Sequence, residues 1–583
     1  MELSKRKAPR PLFSKNNHGR VILHFDLDCF YAQCIENQQP SLKTLPLGIK
    51  QKGILATCNY VARAQGVKKL MLISDAKKIC PNLVLADGED LSLFRDVSKR
   101  LYALLRSYMW SDKIERLGLD ESFMDVTDII AYNIGLLNRH SLRESYFCLS
   151  RTDPQLGFPF DATSFSGCLY GRDDDGGEDD NIDTPRTRLL LASHLAHYLR
   201  MRIEDEGYTT ACGIATNKIL AKLVGDRNKP RNQTALLALR EEDVWSFMDS
   251  HSLRKVPGIG SKTARILQGF VSGKQADRNI YMMDCSVTAQ QVRTHPEISP
   301  PVLERLLSGP GSEKGIGAKV WALLHGVDHT EVKPARNIPT QISIEDTYKG
   351  LNEISEIHRE LMSISTSLIR RMKVDLLSQE EEDGDQYQST ATPSTSRKWL
   401  AHPKTIRLTT RPYTHPSENK PYGWAQASRS YPLPSFVFNK SAADQEVIVE
   451  KLVVDVLIPL FHKLNPARRG WNIGLLNVCV TNMTDESSFS GGRDISVMFR
   501  QQENILKEFT AYGDPDGVGS RNESGPVEYH DDNEEENDQE DHDDDSWDQE
   551  PSPGEPCPLC GHIIPTFALS AHERFHSMEM EGD

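Results

Sequence analysis

Two short groups of carboxylates stand at the ends of apolar runs, where they could gather around a metal ion. Asp120 and Glu121 follow the run at 114–119, and Asp26 follows the run at 21–25. A strand buried on both faces reads as such a run, and the residue at its end can point into a cleft. If the two strands are neighbours, at least three carboxylates converge and need a divalent cation. Surface acids at strand ends are the alternative.

Carboxylate oxygens are hard ligands that suit Mg²⁺, and two such ions can hold the attacking and leaving oxygens of a phosphoryl transfer. Cations for a phosphate are also available, because Lys218 and Lys222 follow a strand-like end at 213–216 and Lys229 precedes a proline. A solvated helix face is the competing interpretation of these lysines. The sequence thus predicts a two-metal phosphoryl-transfer site.

A second metal site is predicted at the C-terminal end of the sequence. Two cysteines and two histidines occur with the spacing Cys-x₂-Cys-x₁₁-His-x₃-His, at Cys557, Cys560, His572 and His576. Thiolates and imidazoles in this pattern are typical of tetrahedral structural Zn²⁺, which lets a short segment fold without a large core. The acidic run before it would be repelled by phosphate, so a protein partner is predicted for this finger rather than DNA.

A turn of glycines before a helix indicates contact with a nucleic-acid backbone. The segment 256–260 ends in Gly258-Ile-Gly260, and Lys262 lies in the predicted helix that follows. Backbone N–H groups exposed at such a turn can hold one DNA phosphate whatever the base sequence. This is the helix-hairpin-helix pattern. A looser version recurs at 315–317 and is predicted to close the same helical domain.

Charge is distributed unevenly along the 583 residues. The formal net charge is −15, but residues 511–583 contain 22 acids and two arginines, a net of −20, which leaves +5 for residues 1–510. A basic body with an acidic tail suits a nucleic-acid-binding protein with a separate appendage. Scattered cysteines and the lack of a long apolar run predict a soluble intracellular protein, with no membrane partner. The cluster Lys5-Arg6-Lys7 predicts nuclear import, or is simply solvated.

The local patterns predict several folded units joined by polar segments. Residues 1–18 are expected to be disordered, and 132–186, which contain the acidic run 173–180, are expected to loop out as a polar insertion. Elements are predicted as strands over 53–58, 404–410 and 471–480 and as helices over 188–202 and 354–373.

Taken in order, these motifs resemble the Y-family translesion DNA polymerases over roughly residues 20–500. The similarity rests on five strings, Asp26-Leu-Asp-Cys-Phe-Tyr-Ala-Gln33, Thr57-Cys-Asn-Tyr-Val-Ala-Arg63, Leu117-Gly-Leu-Asp-Glu-Ser-Phe123, Asn217-Lys218 and Val256-Pro-Gly-Ile-Gly260. Residues 47–52, 66–71 and 82–85 are most similar to the iota branch. The terminal finger resembles the ubiquitin-binding zinc finger of the eta branch, although Arg574 stands where that finger carries an acid.

The resemblance implies a multidomain α+β fold, a right-hand polymerase with a disordered acidic linker and a small zinc finger. The implied domains are a palm (19–46 and 101–230), fingers (47–100), a helix-hairpin-helix thumb (231–335), a little finger (336–510), the linker (511–555) and the finger (556–583). A monomer in the nucleus is expected. Its partners would be primer-template DNA, a dNTP, and ubiquitin or a ubiquitinated sliding clamp.

The same resemblance assigns roles to individual residues. Asp26, Asp120 and Glu121, with the Leu27 carbonyl, would bind two Mg²⁺ ions, or Mn²⁺ in their place. Tyr31 would exclude ribonucleotides by contact with the sugar, and a core tyrosine is the alternative. The triphosphate would contact Tyr60, Arg63 and Lys229, and the templating base would lie under Gln51, Lys52 and Ile54. Asp28 matches a position that does not bind metal.

Other functions stay open at this point. A non-catalytic, ubiquitin-reading adaptor with a polymerase-like DNA clamp would not need the acids and Tyr31 together. A deoxycytidyl transferase of the same family is another alternative, but the twenty residues before the first strand are too few for a BRCT domain. A metal-dependent nuclease would need neither Tyr31 nor Arg63. Residues 502–509 are a degenerate sliding-clamp motif or an ordinary amphipathic helix.

Overall fold

A computed structural model describes residues 19–172, 182–273, 286–309, 312–377, 398–413, 426–439, 445–467 and 470–485, together with two short strands near the C-terminal end. The chain divides into two compact units. The first comprises Met1–Ala276, Met283–Pro334 and Glu528–Asp583, and the second comprises Asp277–Met282 and Ala335–Val527. No helix among these described residues is long and apolar enough to cross a membrane.

The strands are β1 (Ile22–Leu27), β2 (Leu47–Gln51), β3 (Ile54–Cys58), β4 (Val84–Asp87), β5 (Ile114–Leu117), β6 (Glu121–Asp125), β7 (Ser145–Cys148), β8 (Gly157–Phe160), β9 (Cys168–Gly171), β10 (Thr210–Ala215), β11 (Gln233–Leu237), β12 (Ile342–Leu351), β13 (Ala401–Pro412), β14 (Ala427–Pro432), β15 (Ile473–Asp485), β16 (Glu555–Pro556) and β17 (Ile563–Ile564). The helices are α1 (Phe30–Gln38), α2 (Tyr60–Ala64), α3 (Ile73–Ile79), α4 (Ser92–Arg106), α5 (Thr127–Gly135), α6 (Pro185–Asp205), α7 (Lys218–Gly225), α8 (Glu241–Asp249), α9 (Ser261–Val271), α10 (Ala289–Arg293), α11 (Pro300–Leu307), α12 (Ile316–Leu324), α13 (Ile354–Leu376), α14 (Gln445–Leu452) and α15 (Ile458–Leu464).

The first unit is built around a six-stranded main sheet in the order β5-β6-β1-β10-β11-β9. The strand β1 is antiparallel to both β6 and β10. The strand predicted at 114–119 is β5, which does not neighbour β1. The strand β6, which begins at Glu121, lies between them and brings the two carboxylate groups side by side. Because β1 is central and its residues 22–25 are buried, it is the continuous apolar run that the sequence shows.

The helix α7 lies against the main sheet at a contact made possible by two glycines. A Cβ on Gly213 of β10 would lie 1.9 Å from the carbonyl oxygen of Ala221, and one on Gly225 would lie 3.0 Å from the Gly213 nitrogen. Larger residues would push the helix away from the strand. The close contact brings Lys222 of α7 toward the ends of β1 and β6.

Two sequence boundaries around the main sheet are wrong. The predicted insertion at 132–186 contains the end of α5, the hairpin β7–β8 and the sheet strand β9, which pairs with β11. Aromatic packing orders the hairpin, since the rings of Phe147 and Phe158 stack with centroids 5.1 Å apart. Residues 173–181, which include the whole acidic run, lie outside the described residues. The palm boundary at 230 is also too early, because β11 belongs to this sheet.

A smaller three-stranded sheet, in the order β3-β2-β4, forms the next part of the first unit. The strand predicted at 53–58 is found as β3, and β2 pairs in parallel with β4. The helices α2 and α3 contribute to its core, in which Leu55, Ala62 and Ala76 are buried. This small-sheet subdomain spans the region predicted as fingers.

A helical subdomain contains α8 to α12. The helix predicted after Gly260 is confirmed and begins at Ser261. Gly258 has φ +86°, and a Cβ there would lie 2.8 Å from Leu323 Cδ1, so this turn requires glycine. In the looser second turn, the backbone N–H groups are not free to bind a phosphate. Glu304 accepts hydrogen bonds from the nitrogens of Gly315 and Gly317 at 3.1 and 2.6 Å.

Two histidines of the helical subdomain make its stability depend on pH. Nδ1 of His251 donates to the Phe247 carbonyl at 2.9 Å, and Nδ1 of His325 donates to that of Trp321 at 2.8 Å. Burial lowers the pKa of both side chains below the ordinary value of 6.5. The unfolded chain therefore binds protons first, and stability should fall as pH drops through about 6.5.

We expect His325→Gln to reduce this acid sensitivity, because glutamine does not titrate. The check is thermal unfolding of parent and variant between pH 8 and pH 5, where the two melting curves should converge as the pH falls. Exposed His329 offers a matched control, since His329→Gln should leave the pH dependence of the parent unchanged. A parallel decline of parent and His325→Gln would contradict the assignment.

The second unit has a four-stranded sheet in the order β12-β15-β13-β14. The predicted helix at 354–373 is found as α13, and the predicted strand at 404–410 lies within β13. The predicted strand at 471–480 begins two residues before β15 and ends within it. The helices α13 and α14 bury Leu361, Leu368 and Val449 against the sheet. Each of the three predicted elements ends too early at its C-terminal end, because the backbone hydrogen bonding of the element continues beyond the apolar pattern.

Candidate active site

A cleft of about 980 Å³ opens in the first unit beside the end of β1. Residues from the main sheet, the small-sheet subdomain and the start of the helical subdomain contribute to its walls. The lining residues that carry polar or aromatic side chains include Asp26, Asp28, Tyr31, Thr57, Tyr60, Arg63, Lys68, Lys69, Asp120, Glu121, Lys229 and Lys255. The cleft therefore contains most of the predicted metal and nucleotide ligands.

The pairing of β1 and β6 brings the three acids together. Asp26 is the register partner of Glu121, and the Leu27 nitrogen donates to the Asp120 carbonyl at 2.9 Å. Side chains directly opposite each other in a sheet lie on the same face. About a fifth of the Asp26 and Glu121 side chains is exposed. These residues are therefore not the solvated surface acids that were the alternative interpretation of the sequence.

Lysines from the other side of the site pair with these acids. Nζ of Lys229 lies 2.5 Å from Asp26 Oδ2 and 2.6 Å from Asp226 Oδ1, and Lys222 contacts Glu121 Oε2. Lys218 instead pairs with Glu115, at 3.2 Å. The interpretation of these lysines as a solvated helix face is therefore wrong, since each forms an ion pair with a carboxylate.

His24 also holds Glu121. Its ring is 2 % exposed, and Nε2 donates to Glu121 Oε2 at 2.9 Å. The ring lies against Phe123, the register partner of His24 on β6. Lys222 and His24 thus contact the same oxygen of Glu121, and neither contact was predicted. The only sequence signal was the position of His24 two residues before Asp26, on the same face of β1.

The two neighbouring carboxyl groups differ in acidity. Burial raises the pKa of Asp120 to about 6, and the charges of Asp26 and Glu121 add to the effect. Burial also acts to raise the pKa of Glu121, but His24 and Lys222 outweigh it and lower this pKa to about 2. Repulsion between the carboxylates therefore disfavours the charged form of Asp120 more than that of Glu121. A bound cation would stabilise the charged form of Asp120 most.

The donor set at this position suits a hard divalent cation. Three carboxylates and the neighbouring backbone carbonyl of Leu27 lie at adjoining ends of β1 and β6, and oxygen ligands of this kind are those that Mg²⁺ prefers. Within the described ranges, no three His, Cys, Asp or Glu side chains are already drawn together as a metal site. Binding a cation would therefore require Lys222 and Lys229 to give up their carboxylate partners.

Tyr31 lies in the first turn of α1, next to the carboxylates. Its ring stacks on Phe94 of α4, with centroids 4.2 Å apart and an angle of 18° between the planes. Burial and the charge of Asp120 raise the pKa of the Tyr31 hydroxyl. Phe30 is 2 % exposed and packs in the core, whereas Tyr31 is only partly buried and lines the cleft. Phe94 was not singled out from the sequence.

The predicted triphosphate ligands meet at the cleft. The Arg63 guanidinium lies over the Tyr60 ring, 4.7 Å from its centroid, and Arg63 Nε donates to the Cys58 carbonyl at 3.1 Å. Asn59 caps α2 by accepting from the Ala62 nitrogen. Despite burial, the Asp26 and Asp226 carboxylates raise the pKa of Lys229, so this residue carries a positive charge.

The residues predicted to contact the templating base lie at the β2–β3 turn, outside the cleft. Gln51 Nε2 donates to the Gly88 carbonyl at 2.7 Å, and the Lys52 nitrogen donates to Glu89 Oε1 at 3.0 Å. Ile54 begins β3, whose later residues Ala56 and Thr57 line the cleft. The structure thus does not bring Gln51, Lys52 and Ile54 together with the carboxylates.

The predicted DNA-contacting turn also lies outside the cleft lining. Gly258 and Gly260 precede α9, whose N-terminus has no side-chain cap, and Lys262 is an exposed residue of its first turn. Lys255, just before this turn, lines the cleft. The predicted zinc ligands and the segment 502–509 lie outside the described residues.

Comparison with known proteins finds a protein family whose match covers the carboxylates of the cleft. Residues 25–226 match the model of the impB/mucB/samB family. This region is therefore similar to that family. It contains Asp26, Asp120 and Glu121, and Lys229 follows its end by three residues.

Three relatives show how far the similarity extends beyond residues 25–226. DNA polymerase iota of Homo sapiens is 32 % identical over 470 residues, which are 80 % of this chain and 53 % of the human protein. That of Drosophila melanogaster is 33 % identical over 361 residues, 61 % of this chain and 42 % of the fly protein. DNA polymerase IV of Pasteurella multocida is 29 % identical over 360 residues, 61 % of this chain and 77 % of that protein.

The chain spans about half the length of the iota relatives that it matches. The predicted similarity to DNA polymerase iota is confirmed by these matches. The C-terminal finger stays a prediction.

Proposed function

We propose that the protein is a DNA-directed DNA polymerase of the Y family that extends primers past damaged template bases with low fidelity. The observation that carries this proposal is one cleft that contains three carboxylates, a stacked tyrosine and the cations Arg63 and Lys229. A nuclease needs no aromatic ring beside its acids. The names of the relatives, DNA polymerase iota and DNA polymerase IV, support the same activity.

The carboxylates of Asp26, Asp120 and Glu121 and the Leu27 carbonyl would hold two Mg²⁺ ions. Such ions, when bound, activate the primer 3′-hydroxyl and stabilise the leaving pyrophosphate. The side chains of the protein bind and position the nucleotide. Arg63 and Lys229 bind the triphosphate, Tyr60 orients Arg63 through its ring, and Tyr31 packs under the sugar. His24 keeps Glu121 in place.

The domain assignment follows from the same proposal, with the palm extended past residue 230 to include β11. The small-sheet subdomain would be the fingers, and the helical subdomain would be the thumb, whose turn at Gly258 and Gly260 would hold a DNA phosphate through backbone N–H groups. The second unit contains the region proposed as the little finger. Residues 511–555 would be the acidic linker.

Primer extension tests the activity directly. The full chain is incubated with primer-template DNA, each dNTP and Mg²⁺, with a second reaction in excess EDTA. We expect template-dependent addition of nucleotides in the first and none in the second. DNA binding without any extension would overturn the polymerase proposal and favour the adaptor.

Fidelity should depend on the template base if the protein works as the resemblance to the iota branch implies. That branch narrows the templating pocket, and we expect incorporation opposite A to be more accurate than opposite T, by about 10-fold or more, equivalent to about 1.4 kcal/mol of discrimination. Steady-state kcat/KM values for all four dNTPs opposite each base provide the measurement. Equal accuracy opposite A and T would exclude the iota-like pocket and leave the polymerase activity untouched.

The C-terminal finger is proposed to bind one Zn²⁺ through Cys557, Cys560, His572 and His576, and to bind ubiquitin or a ubiquitinated sliding clamp. Support comes from β16 and β17, which pair antiparallel on either side of the two cysteines in the sequence. A basic cluster at 5–7 supports nuclear localisation. These segments act independently of the polymerase site.

We expect the full chain to contain one zinc per molecule and the variant Cys557→Ser/Cys560→Ser to contain none, with ubiquitin binding weakened at least about 10-fold because the finger folds only with metal. Elemental analysis and titration of labelled ubiquitin measure the two effects. Primer extension by the variant should equal that of the parent. Unchanged ubiquitin binding by the zinc-free variant would contradict the assignment.

A further inference from the structure

Asp28 is a buried carboxylate at the floor of the cleft, two residues beyond Asp26. Its side chain is 3 % exposed, and it lies in the turn between β1 and α1. Oδ2 accepts hydrogen bonds from the Arg231 nitrogen at 2.8 Å and from Thr209 Oγ1 at 3.0 Å. The backbone of Asp28 is fixed as well, since its nitrogen donates to the Thr209 carbonyl and its carbonyl accepts from Gln33.

The other oxygen of Asp28 faces the small-sheet subdomain. The Tyr60 hydroxyl lies 3.5 Å from Asp28 Oδ1, and the Tyr60 ring carries the Arg63 guanidinium on its face. One side of the Asp28 carboxylate thus contacts the element that presents Arg63. This is the arm of the cleft that comes from the proposed fingers.

The Arg231 side of Asp28 leads to Lys229. Arg231 has φ +50°, a backbone conformation that is costly for a residue with a Cβ and must be held by its surroundings. Two contacts hold it, the Asp28 carboxylate at its nitrogen and Glu204 at its guanidinium, 2.8 Å away. Lys229, two residues earlier, extends into the cleft and reaches Asp26.

Burying a carboxylate is expensive unless its oxygens are hydrogen-bonded, and a neutral residue would fill the same space at lower cost. Asp28 matches no metal-binding position, and its Oδ2 is already occupied by Arg231 and Thr209. Its contacts instead connect the two cations that are proposed to bind the triphosphate, one from each subdomain.

We propose that Asp28 is a positioning residue for the triphosphate, which fixes the spacing between Lys229 and the Tyr60–Arg63 pair. The inference rests on the proposed polymerase function. It predicts that the loss of Asp28 weakens nucleotide binding and leaves the chemical step largely intact, because the metal ligands are unchanged. A spacing error of about an ångström between binding groups is enough for a large effect.

The variants Asp28→Asn and Asp28→Ala test this role. The dissociation constant of the correct dNTP is measured on the full chain bound to a primer-template with a dideoxy-terminated primer, so that no turnover occurs. We expect about a 10-fold increase for Asp28→Ala and a smaller one for Asp28→Asn, which keeps one acceptor for the Arg231 nitrogen. In extension with a normal primer, KM should rise by the same factors and kcat should change by less than about 3-fold.

A double-mutant cycle separates positioning from general stability. If Asp28 acts through Lys229, then Asp28→Asn should add little to the binding loss in a Lys229→Met background. Asp125→Asn is the matched control, since Asp125 is also buried and bonds Thr127, outside the cleft. It should lower the melting temperature without changing the dissociation constant of the dNTP.

The inference is overturned if Asp28→Asn and Asp28→Ala bind dNTP as the parent does, or if their effect is fully additive with Lys229→Met. An equal loss of dNTP binding in Asp125→Asn would also overturn it, because any buried aspartate would then serve. If Asp28→Ala does not fold, the dNTP dissociation constant of Asp28→Asn alone tests the inference. If the parent extends no primer, the proposed function itself has failed, and that result is read before any variant is compared.

Discussion

Simultaneous replacement of Asp120 and Glu121 by alanine is expected to lower the rate of primer extension by about 10³-fold or more. The double substitution removes two of the three carboxylates that would hold Mg²⁺, and metal stabilisation of the developing charge contributes several kcal/mol to such a transfer. It also removes the partner of His24 and Lys222, so Lys222 would be left without its own carboxylate.

The measurement is single-turnover extension at saturating Mg²⁺, and the DNA dissociation constant of each protein is measured in parallel. DNA binding should change little, because the turn at Gly258 and Gly260 that is proposed to hold a DNA phosphate is unchanged in the variant. Asp112→Ala is a suitable control, since this exposed acid pairs with Arg106 beyond the opposite end of β5. Equal extension by the parent and the Asp120→Ala/Glu121→Ala variant would exclude the two-metal assignment.

The part of the site that the sequence predicts best is the part set by strand alternation. The apolar run before Asp26 identifies the buried strand β1, whereas the run before Asp120 is the edge strand β5. The strand that places Glu121 opposite Asp26 is β6, which begins at Glu121 itself. Local signals of this kind also locate α9, because a Pro-Gly turn directly before a run with helical apolar spacing marks where a helix begins. In each case the information lies within about ten residues of sequence.

Contacts between distant segments could not be predicted in the same way. Lys222 meets Glu121 because Gly213 and Gly225 let α7 lie directly on β10, a fit that depends on three-dimensional packing. The stacking of Phe94 on Tyr31 likewise joins α4 to α1. Nothing in the helical periodicity of either segment distinguishes Phe94 from any other core residue.

The error at 132–186 has a different physical origin. The strands β7, β8 and β9 have four residues each, too few to show an alternating pattern, and an acidic run follows them. Their stability comes from the rings of Phe147, Phe158 and Phe160 and from the edge of the main sheet. Such tertiary contributions override a weak local signal.

The second large effect is expected at Tyr31. Replacement by alanine should raise the incorporation of ribonucleotides relative to deoxyribonucleotides by about 10- to 100-fold, since forcing an extra oxygen against a fixed ring costs about 1–3 kcal/mol. The ring is fixed because it stacks on Phe94 and starts a helix whose neighbouring residue, Phe30, is anchored in the core. Ratios of kcat/KM for dCTP and CTP opposite G measure the change.

The stack on Phe94 makes this prediction more specific than a steric argument about Tyr31 alone. If exclusion depends on a ring held in place, Phe94→Leu should also relax sugar discrimination, by less than Tyr31→Ala, because Tyr31 would keep its size but lose its support. Phe147→Leu is the control, since it removes a buried ring that stacks on Phe158 outside the cleft. An unchanged discrimination in Tyr31→Ala would exclude the steric gate, whereas a change in Tyr31→Ala alone would show that the ring needs no support from α4.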